Sequence, residues 1–158
     1  MTLVAVPFPP DQFEAWSQRS QRDYARAKVA SGAWTEAEAP ERARAEQAKL
    51  LPAGLDTPGH HLRRVEDATA GAFIGWFWIA PATGGPPDLG WLFDIEIVPE
   101  HRGQGHGRAV MALAEQEAQS MGFARLGLHV FAQNKVALHL YEACGFETSD
   151  VTMVKTLE

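Results

Sequence analysis

Cysteine is almost absent from this sequence, since Cys144 is the only one among 158 residues. A single thiol cannot form an intrachain disulfide, which excludes a disulfide-bonded scaffold. The six histidines show none of the Cys/His spacings that are typical of zinc sites. The sequence therefore predicts no structural metal and no metal cofactor.

Long apolar runs are absent as well, because no stretch approaches the roughly 18 apolar residues that a membrane-spanning helix needs. The first ten residues, MTLVAVPFPP, have no basic segment and reach prolines too early for the apolar core of a signal peptide. Basic residues are in the minority, 14 against 20 acidic ones. Binding to a phosphate backbone generally requires a broad positive field. We expect a cytoplasmic protein with no membrane and no nucleic-acid partner.

The residues that are abundant indicate one globular unit. Hydrophobic residues make up 46% of the chain, and no internal repeat is visible. A chain of this length matches a single domain of about 100 to 200 residues, so we expect one domain over residues 1–158. Trp76, Trp78 and Trp91 are expected in the core, although an exposed subset could form a homodimer interface.

Hydrophobic spacing predicts helices in the first third of the chain and alternating strands and helices after it. Thr35 with Glu38 resembles a capping box, but Pro40 removes a backbone donor, so either position can start the second helix. The predicted strands are Leu3–Val6, His60–Val65, Ala72–Ala80, Gly90–Val98, Leu126–Val130 and Phe146–Leu157, and the predicted helices cover about 11–30, a segment ending near Leu51, Gly105–Met121 and Asn134–Gly145.

These elements predict an α+β (mixed α/β) fold. The short turn at Gly84–Pro87 favours an antiparallel pair, and a crossover helix joins two strands that should be parallel neighbours. Strict alternation along Gly90–Val98 places Asp94 and Glu96 on one face together with Leu92 and Val98. Two carboxylates on a half-apolar face are candidates for proton transfer, because desolvation raises a carboxyl pKa.

A glycine-rich turn follows this strand and opens the next helix, over Pro99–Arg108. Exposed amides at a helix N-terminus form an anion site, since both the free N–H groups and the helix dipole favour phosphate. Arg108 stands where the third glycine of a dinucleotide-binding G-x-G-x-x-G would fall, and no Gly-Lys-Ser/Thr of a P-loop occurs. Both nucleotide-binding motifs are therefore disfavoured.

The pattern that does fit is R-x-x-G-x-G, formed by Arg102, Gly105 and Gly107. A second pattern follows at Asn134-x-x-Ala137-x-x-x-Tyr141-x-x-x-Gly145-Phe146. With these motifs, residues of about 72–150 resemble the GCN5-related N-acetyltransferase (GNAT) superfamily. The resemblance implies a central, mostly antiparallel sheet, flanked by helices, with one parallel strand pair that splays to admit acetyl-coenzyme A.

The resemblance also implies roles for individual residues. The pyrophosphate of acetyl-coenzyme A would bind at the loop and helix start, and Asn134 would contact the pantetheine arm. Glu96 is the candidate base, with Asp94 as the rival, and Tyr141 is the candidate acid for the departing thiolate. The backbone of Ile97 or Val98 would meet the oxyanion and the pantetheine. The implied coenzyme-binding set is Ile97, Val98, Arg102, Gly103, Gln104, Gly105, His106, Gly107, Arg108 and Asn134.

The activity implied by the resemblance is direct transfer of an acetyl group from acetyl-coenzyme A to a primary amine, within a ternary complex. In the family the first two helices form much of the acceptor site. A small-molecule amine is the expected acceptor. A protein or peptide N-acetyltransferase, a non-catalytic acyl-coenzyme A sensor and a simple interaction domain remain as alternatives.

Overall fold

The structure is a computed structural model that describes residues 1–158. Five strands and four helices of more than one turn alternate along it, in the predicted order up to the last helix. The strands are β1 (Leu3–Pro7), β2 (His61–Asp67), β3 (Phe73–Pro81), β4 (Leu89–Ile97) and β5 (Arg125–Leu128), and the helices are α1 (Phe13–Ala30), α2 (Ala39–Leu50), α3 (His106–Ser120) and α4 (Lys135–Ala143).

The strands form one sheet in the order β1-β2-β3-β4-β5. The first four are antiparallel neighbours, and β5 is parallel to β4 across the α3 crossover. This arrangement confirms the predicted fold class. Gly75 allows β3 and β4 to approach closely, because a Cβ there would lie 2.1 Å from the carbonyl oxygen of Glu96.

Two cores lie on opposite faces of the sheet. On one face Phe77 and Ile79 of β3 pack with Val110 and Met111 of α3. On the other, Trp76 and Trp78 pack with Trp16 of α1. Side chains of β3 point alternately to the two faces of the sheet, so successive residues pack against the α3 layer on one face and the α1 layer on the other.

A bulge in β4 changes the predicted facing of two residues. Trp78 pairs with Asp94 and Ile79 with Leu92, so Phe93 is the extra residue. Leu92 consequently packs in the α3-side core and Phe93 in the α1-side core, the reverse of the strict alternation. Asp94 and Glu96, opposite Trp78 and Trp76, face α1. A bulge places two residues against one of the partner strand and so shifts the alternation by one.

The prediction of a final strand over Phe146–Leu157 was wrong. No strand or helix forms after α4, and Val151, Met153, Val154 and Leu157 are 73–91% exposed. The apolar alternation of Val151, Met153 and Leu157 is short and is interrupted by Lys155, and residues 147–150 are polar, so a strand here has no continuous apolar face to bury. Without that burial a single strand has little to stabilise its pairing.

The second helix uses both of its candidate start signals. Thr35 and Glu38 make reciprocal hydrogen bonds of 3.2 and 3.3 Å between side chain and backbone N–H, which closes a capping box. The helix then runs from Ala39, with Pro40 in its first turn. A proline is tolerated there because the first-turn amides have no intrahelical partner.

Candidate active site

A cleft opens between β4 and β5. The parallel pairing covers only Leu89–Leu92 against Arg125–Leu128. Beyond it β4 continues to Ile97, whereas β5 ends at Leu128. The last five residues of β4 thus lack a partner on this side, as the expected splaying requires.

The glycine-rich loop and the start of α3 lie at the end of this cleft. Gly103 and Gly105 have φ angles of +71° and +80°, a left-handed conformation that favours glycine. Gly105 is the N-cap of α3, and no side chain caps the helix. The first amides of α3 therefore have no intrahelical partner. The cradle fits an anionic phosphate group.

The remaining coenzyme-loop candidates surround this helix start. The His106 Nε2 atom is buried without a hydrogen-bond partner. The Gln104 amide donates to the carbonyl of Glu100 at 3.2 Å, and the Arg108 side chain is exposed. Gly107 lies against α4, since a Cβ there would be 3.0 Å from Leu140 Cδ2. Gly107 is therefore a packing position between α3 and α4.

Arg102 is directed at the end of β4. Its Nη2 atom lies 2.6 Å from Glu96 Oε1, and its Nε donates to the carbonyl oxygen of Ile97 at 2.9 Å. The sequence motif alone indicated a phosphate ligand and did not indicate this ion pair. The guanidinium thus connects the loop to the candidate base.

Two carboxyl groups on β4 have raised pKa values. Burial raises the pKa of Asp94 to about 6, although its Oδ2 accepts a 2.7 Å hydrogen bond from the Trp76 indole, which acts in the opposite direction. Burial also raises the pKa of Glu96, and the nearby Arg102 guanidinium partly offsets it. Both groups are therefore closer than ordinary carboxyls to accepting a proton near neutral pH.

Tyr141 of α4 shares this environment. Burial first, then the charges of Asp94 and Glu96, raise the pKa of its phenol to about 12. The phenol is thus protonated at neutral pH and can donate a proton. Asn134, at the start of the same helix, caps it as predicted, since its Oδ1 accepts a 3.3 Å hydrogen bond from the Ala137 amide.

The two backbone candidates at the end of β4 differ in direction. The Val98 amide donates to the Ile74 carbonyl at 2.9 Å, and the Val98 carbonyl accepts from His101 at 3.0 Å. The Val98 N–H is thus already bonded to β3, which favours Ile97 of the two predicted oxyanion donors. Main-chain groups alternate in direction along a strand, so the N–H of Ile97 points away from β3 and towards the cleft.

Sequence reasoning missed a group of charged residues on α1 that lies beside Glu96. An open cavity of about 650 Å³ borders the end of β4 and has no hydrophobic side chain in its lining. The spacing i, i+3, i+4, i+7 along α1 was the signal for a shared face. The lining residues are Arg19, Arg22, Asp23, Arg26, Glu96 and Arg102.

The histidines and acidic residues form no group of three or more that could hold a metal ion. No helix is both long enough and apolar enough to span a bilayer.

Comparison with known proteins shows the family to which the chain is related. The model of the acetyltransferase (GNAT) family matches residues 12–146. The chain is 34% identical over 157 residues to the uncharacterized N-acetyltransferase YycN of Bacillus subtilis, covering 99% of this chain and 100% of that protein. The crystal structure of YycN gives a TM-score of 0.92 over 99% of both chains.

A more distant likeness shows the fold alone. Spermidine N-acetyltransferase from Vibrio cholerae, crystallised with CoA and spermine, shares 20% identity and a TM-score of 0.66 over 94% of this chain and 82% of that one. Together with the family match over most of the chain and the full-length relative, the splayed strands and the loop at α3 lead to one assignment. This chain belongs to the GNAT family of N-acetyltransferases.

Proposed function

We propose that this enzyme transfers the acetyl group of acetyl-coenzyme A to a primary amine of a small molecule, directly and within a ternary complex. Three features near the end of β4 carry the proposal. The start of α3 has backbone amides without intrahelical partners. Two carboxyls, Asp94 and Glu96, have raised pKa values, and the phenol of Tyr141 is protonated at neutral pH. An amine nucleophile, a thioester and a thiolate leaving group need these groups.

The loop and the start of α3 hold the pyrophosphate of the coenzyme in this proposal. Gly103 and Gly105 expose their backbone amides to the pyrophosphate. Neither glycine is required for packing, because a Cβ at either position would meet no atom within 4 Å. Gln104, His106, Gly107 and Arg108 complete the cradle at the helix start. Asn134 contacts the pantetheine arm while its Oδ1 caps α4. The coenzyme supplies the acetyl thioester.

Glu96 accepts the proton of the attacking amine. Asp94 is the rival candidate: its Oδ2 accepts a hydrogen bond from the Trp76 indole, and it lies two residues further along the chain from the glycine-rich loop than Glu96 does. As the amine nitrogen bonds to the acetyl carbon, the Ile97 N–H donates to the developing oxyanion. The C–S bond then breaks and Tyr141 gives its phenolic proton to the thiolate. The proton lost by the amine resides on Glu96.

Calorimetry and a thiol-release assay test the proposal together. Acetyl-coenzyme A is titrated into the wild type, and a panel of amines is then screened for release of free coenzyme A. We expect saturable binding and turnover with at least one amine. Glu96→Gln and Tyr141→Phe should each lower kcat by about 10²-fold or more, the usual scale for general acid–base groups, with unchanged acetyl-coenzyme A affinity.

Glu142→Gln is the matched control, since it removes an exposed carboxylate next to Tyr141 on α4. This variant should retain wild-type kcat. Binding of acetyl-coenzyme A without turnover of any amine or peptide would replace the proposal with an acyl-coenzyme A sensor. Turnover of peptides alone would replace it with a peptide N-acetyltransferase.

A further inference from the structure

We infer that the amine acceptor of this enzyme also bears an anionic group, a carboxylate or a phosphate, which is bound by the arginines on α1. This inference rests on the proposed function and names the class of acceptor for the same site. The net charge of −6 does not by itself choose among amine acceptors.

The first observation is the placement of the arginines. Arg19, Arg22 and Arg26 occupy positions i, i+3 and i+7 of α1, so all three lie on one face of the helix. That face lines the cavity of about 650 Å³ that also contains Glu96. The guanidinium groups and the candidate base therefore line the same open cavity.

The second observation is that these charges are poorly compensated. Arg22 and Arg26 make no ion pair and no side-chain hydrogen bond, although other exposed arginines, such as Arg44, do. Arg19 lies 4.0 Å from Asp23, a loose ion pair, and stacks over the Trp76 ring at 5.4 Å. Neighbouring guanidinium groups repel one another, and a bound anion relieves that repulsion.

The third observation is the balance of charge across the cavity. Four arginines face two carboxylates in its lining, and three arginines remain if Arg102 is assigned to the coenzyme loop. The charges of Asp23 and Arg19 both influence the pKa of Glu96, which places the α1 face beside the base. An acceptor with an ammonium group near Asp23 and Glu96 and an acidic group near Arg22 and Arg26 matches this polarity.

Guanidinium groups favour this ligand for a geometric reason. Their planar fork of donors forms paired hydrogen bonds with carboxylate or phosphate oxygens. A polyamine offers no such acceptor and would place a second cation against the arginines. A phosphate of the coenzyme offers the same chemistry as an acidic acceptor, so the experiment must separate these two sources.

Matched pairs of amines provide the test. L-Methionine is compared with L-methioninamide, and glucosamine 6-phosphate with glucosamine, with spermidine as an acceptor that has no anionic group. Binding is measured by calorimetry in the presence of coenzyme A, and turnover by thiol release, so the outcome does not depend on turnover alone. We expect the acidic member of at least one pair to bind about tenfold more tightly, the scale of one charge-assisted hydrogen bond.

Arg22→Ala and Arg26→Ala then locate the effect. Each should weaken binding of the acidic member about tenfold, leave the neutral member within about twofold, and leave the KM for acetyl-coenzyme A unchanged. Arg22→Lys should recover only part of the loss, because lysine lacks the fork. Arg44→Ala is the matched control, since it removes an exposed arginine whose partner is Glu41 on α2.

Three results would overturn the inference. Preferred binding of spermidine or of both neutral members would show that no anionic group is recognised, while the acetyltransferase proposal would stand. A rise in the KM for acetyl-coenzyme A equal to the loss in acceptor binding would assign the arginines to the coenzyme phosphates. No binding of acetyl-coenzyme A to the folded wild type would remove the proposed function itself.

Discussion

Single residues set the acid–base character of this site through contacts that are distant in sequence. Asp94 is held by the Trp76 indole from the neighbouring strand, and Glu96 by the Arg102 guanidinium from the loop. Burial acts on both carboxyls in the same direction, and each partner opposes it. The two carboxyls thus differ in availability although they lie two residues apart on one strand.

Asp94 should make folding stability depend on pH. Its pKa is about 6 in the folded protein, against an ordinary 3.8. The unfolded chain therefore loses this proton at lower pH, and the stability that Asp94 contributes below about pH 4 is lost as the pH rises through 6. Asp94→Asn removes this titration and keeps an oxygen that can accept the Trp76 hydrogen bond.

We expect the stability of Asp94→Asn relative to wild type, measured as the free energy of unfolding, to be about 2 to 3 kcal/mol higher at pH 8 than at pH 4. Urea titrations at the two pH values measure this difference. Glu142→Gln, which changes an exposed carboxylate, is measured beside it as the control for loss of a negative charge. A difference for Asp94→Asn that does not change with pH would contradict the raised pKa.

At the scale of elements, the start of α3 joins a left-handed glycine turn to the first backbone amides of the helix, which have no intrahelical partner. Gly105 supplies the left-handed N-cap, and Gly122 ends the same helix with a φ angle of +93°. A Cβ at either glycine would meet no atom within 4 Å. Both glycines need a positive φ angle, but one lies at the start of α3 beside the loop and the other at its far end. Substitutions at the two positions can therefore be compared directly.

We expect Gly105→Ala to destabilise the protein by about 1 kcal/mol and to weaken acetyl-coenzyme A binding about tenfold, because alanine disfavours positive φ and reorients the loop amides. Gly122→Ala should cost a similar free energy of unfolding without changing the affinity. Calorimetry and thermal melts of both variants separate the two effects. Equal loss of affinity in both variants would mean that general destabilisation, and not the loop, controls binding.

At the scale of the whole molecule, the sheet joins two cores that share β3. Phe77 and Ile79 belong to the α3-side core, and Trp76 and Trp78 to the α1-side core. Neither layer of helices has its own sheet. The proposed site depends on both layers, since α1 supplies the charged side chains of the cavity beside Glu96 and α3 the proposed phosphate-binding helix start.

We therefore expect the two layers to unfold together. Trp16→Ala should lower stability by about 3 to 5 kcal/mol and Met111→Ala by about 2 to 5 kcal/mol, the usual cost of truncating a buried side chain. Each variant should still show one transition, with coincident melts by tryptophan fluorescence and far-UV circular dichroism. Separate midpoints in either variant would show that the two layers are independent.

The sequence alone determined the features that depend on neighbours within a few residues. The β3–β4 hairpin follows from its short turn, and the capping box at Thr35 and Glu38 and the cap at Asn134 follow from local side-chain hydrogen bonds. The position of the glycine-rich loop between a strand and a helix was equally local. Each of these signals involves residues only a few positions apart in sequence, so it can be recognised without knowledge of the fold.

Only the tertiary structure decided which distant groups meet. The bulge at Phe93 depends on how β4 pairs with β3, and it alone determines that Phe93, and not Leu92, joins Asp94 and Glu96 on the α1 face. Strand pairing also decided that the Val98 amide is already used and that the segment after α4 forms no strand. The contact of the α1 arginines with the cavity of Glu96 follows from the packing of Trp16 on the sheet. Burial, pairing and charge compensation depend on neighbours in space, and a linear pattern does not specify those neighbours.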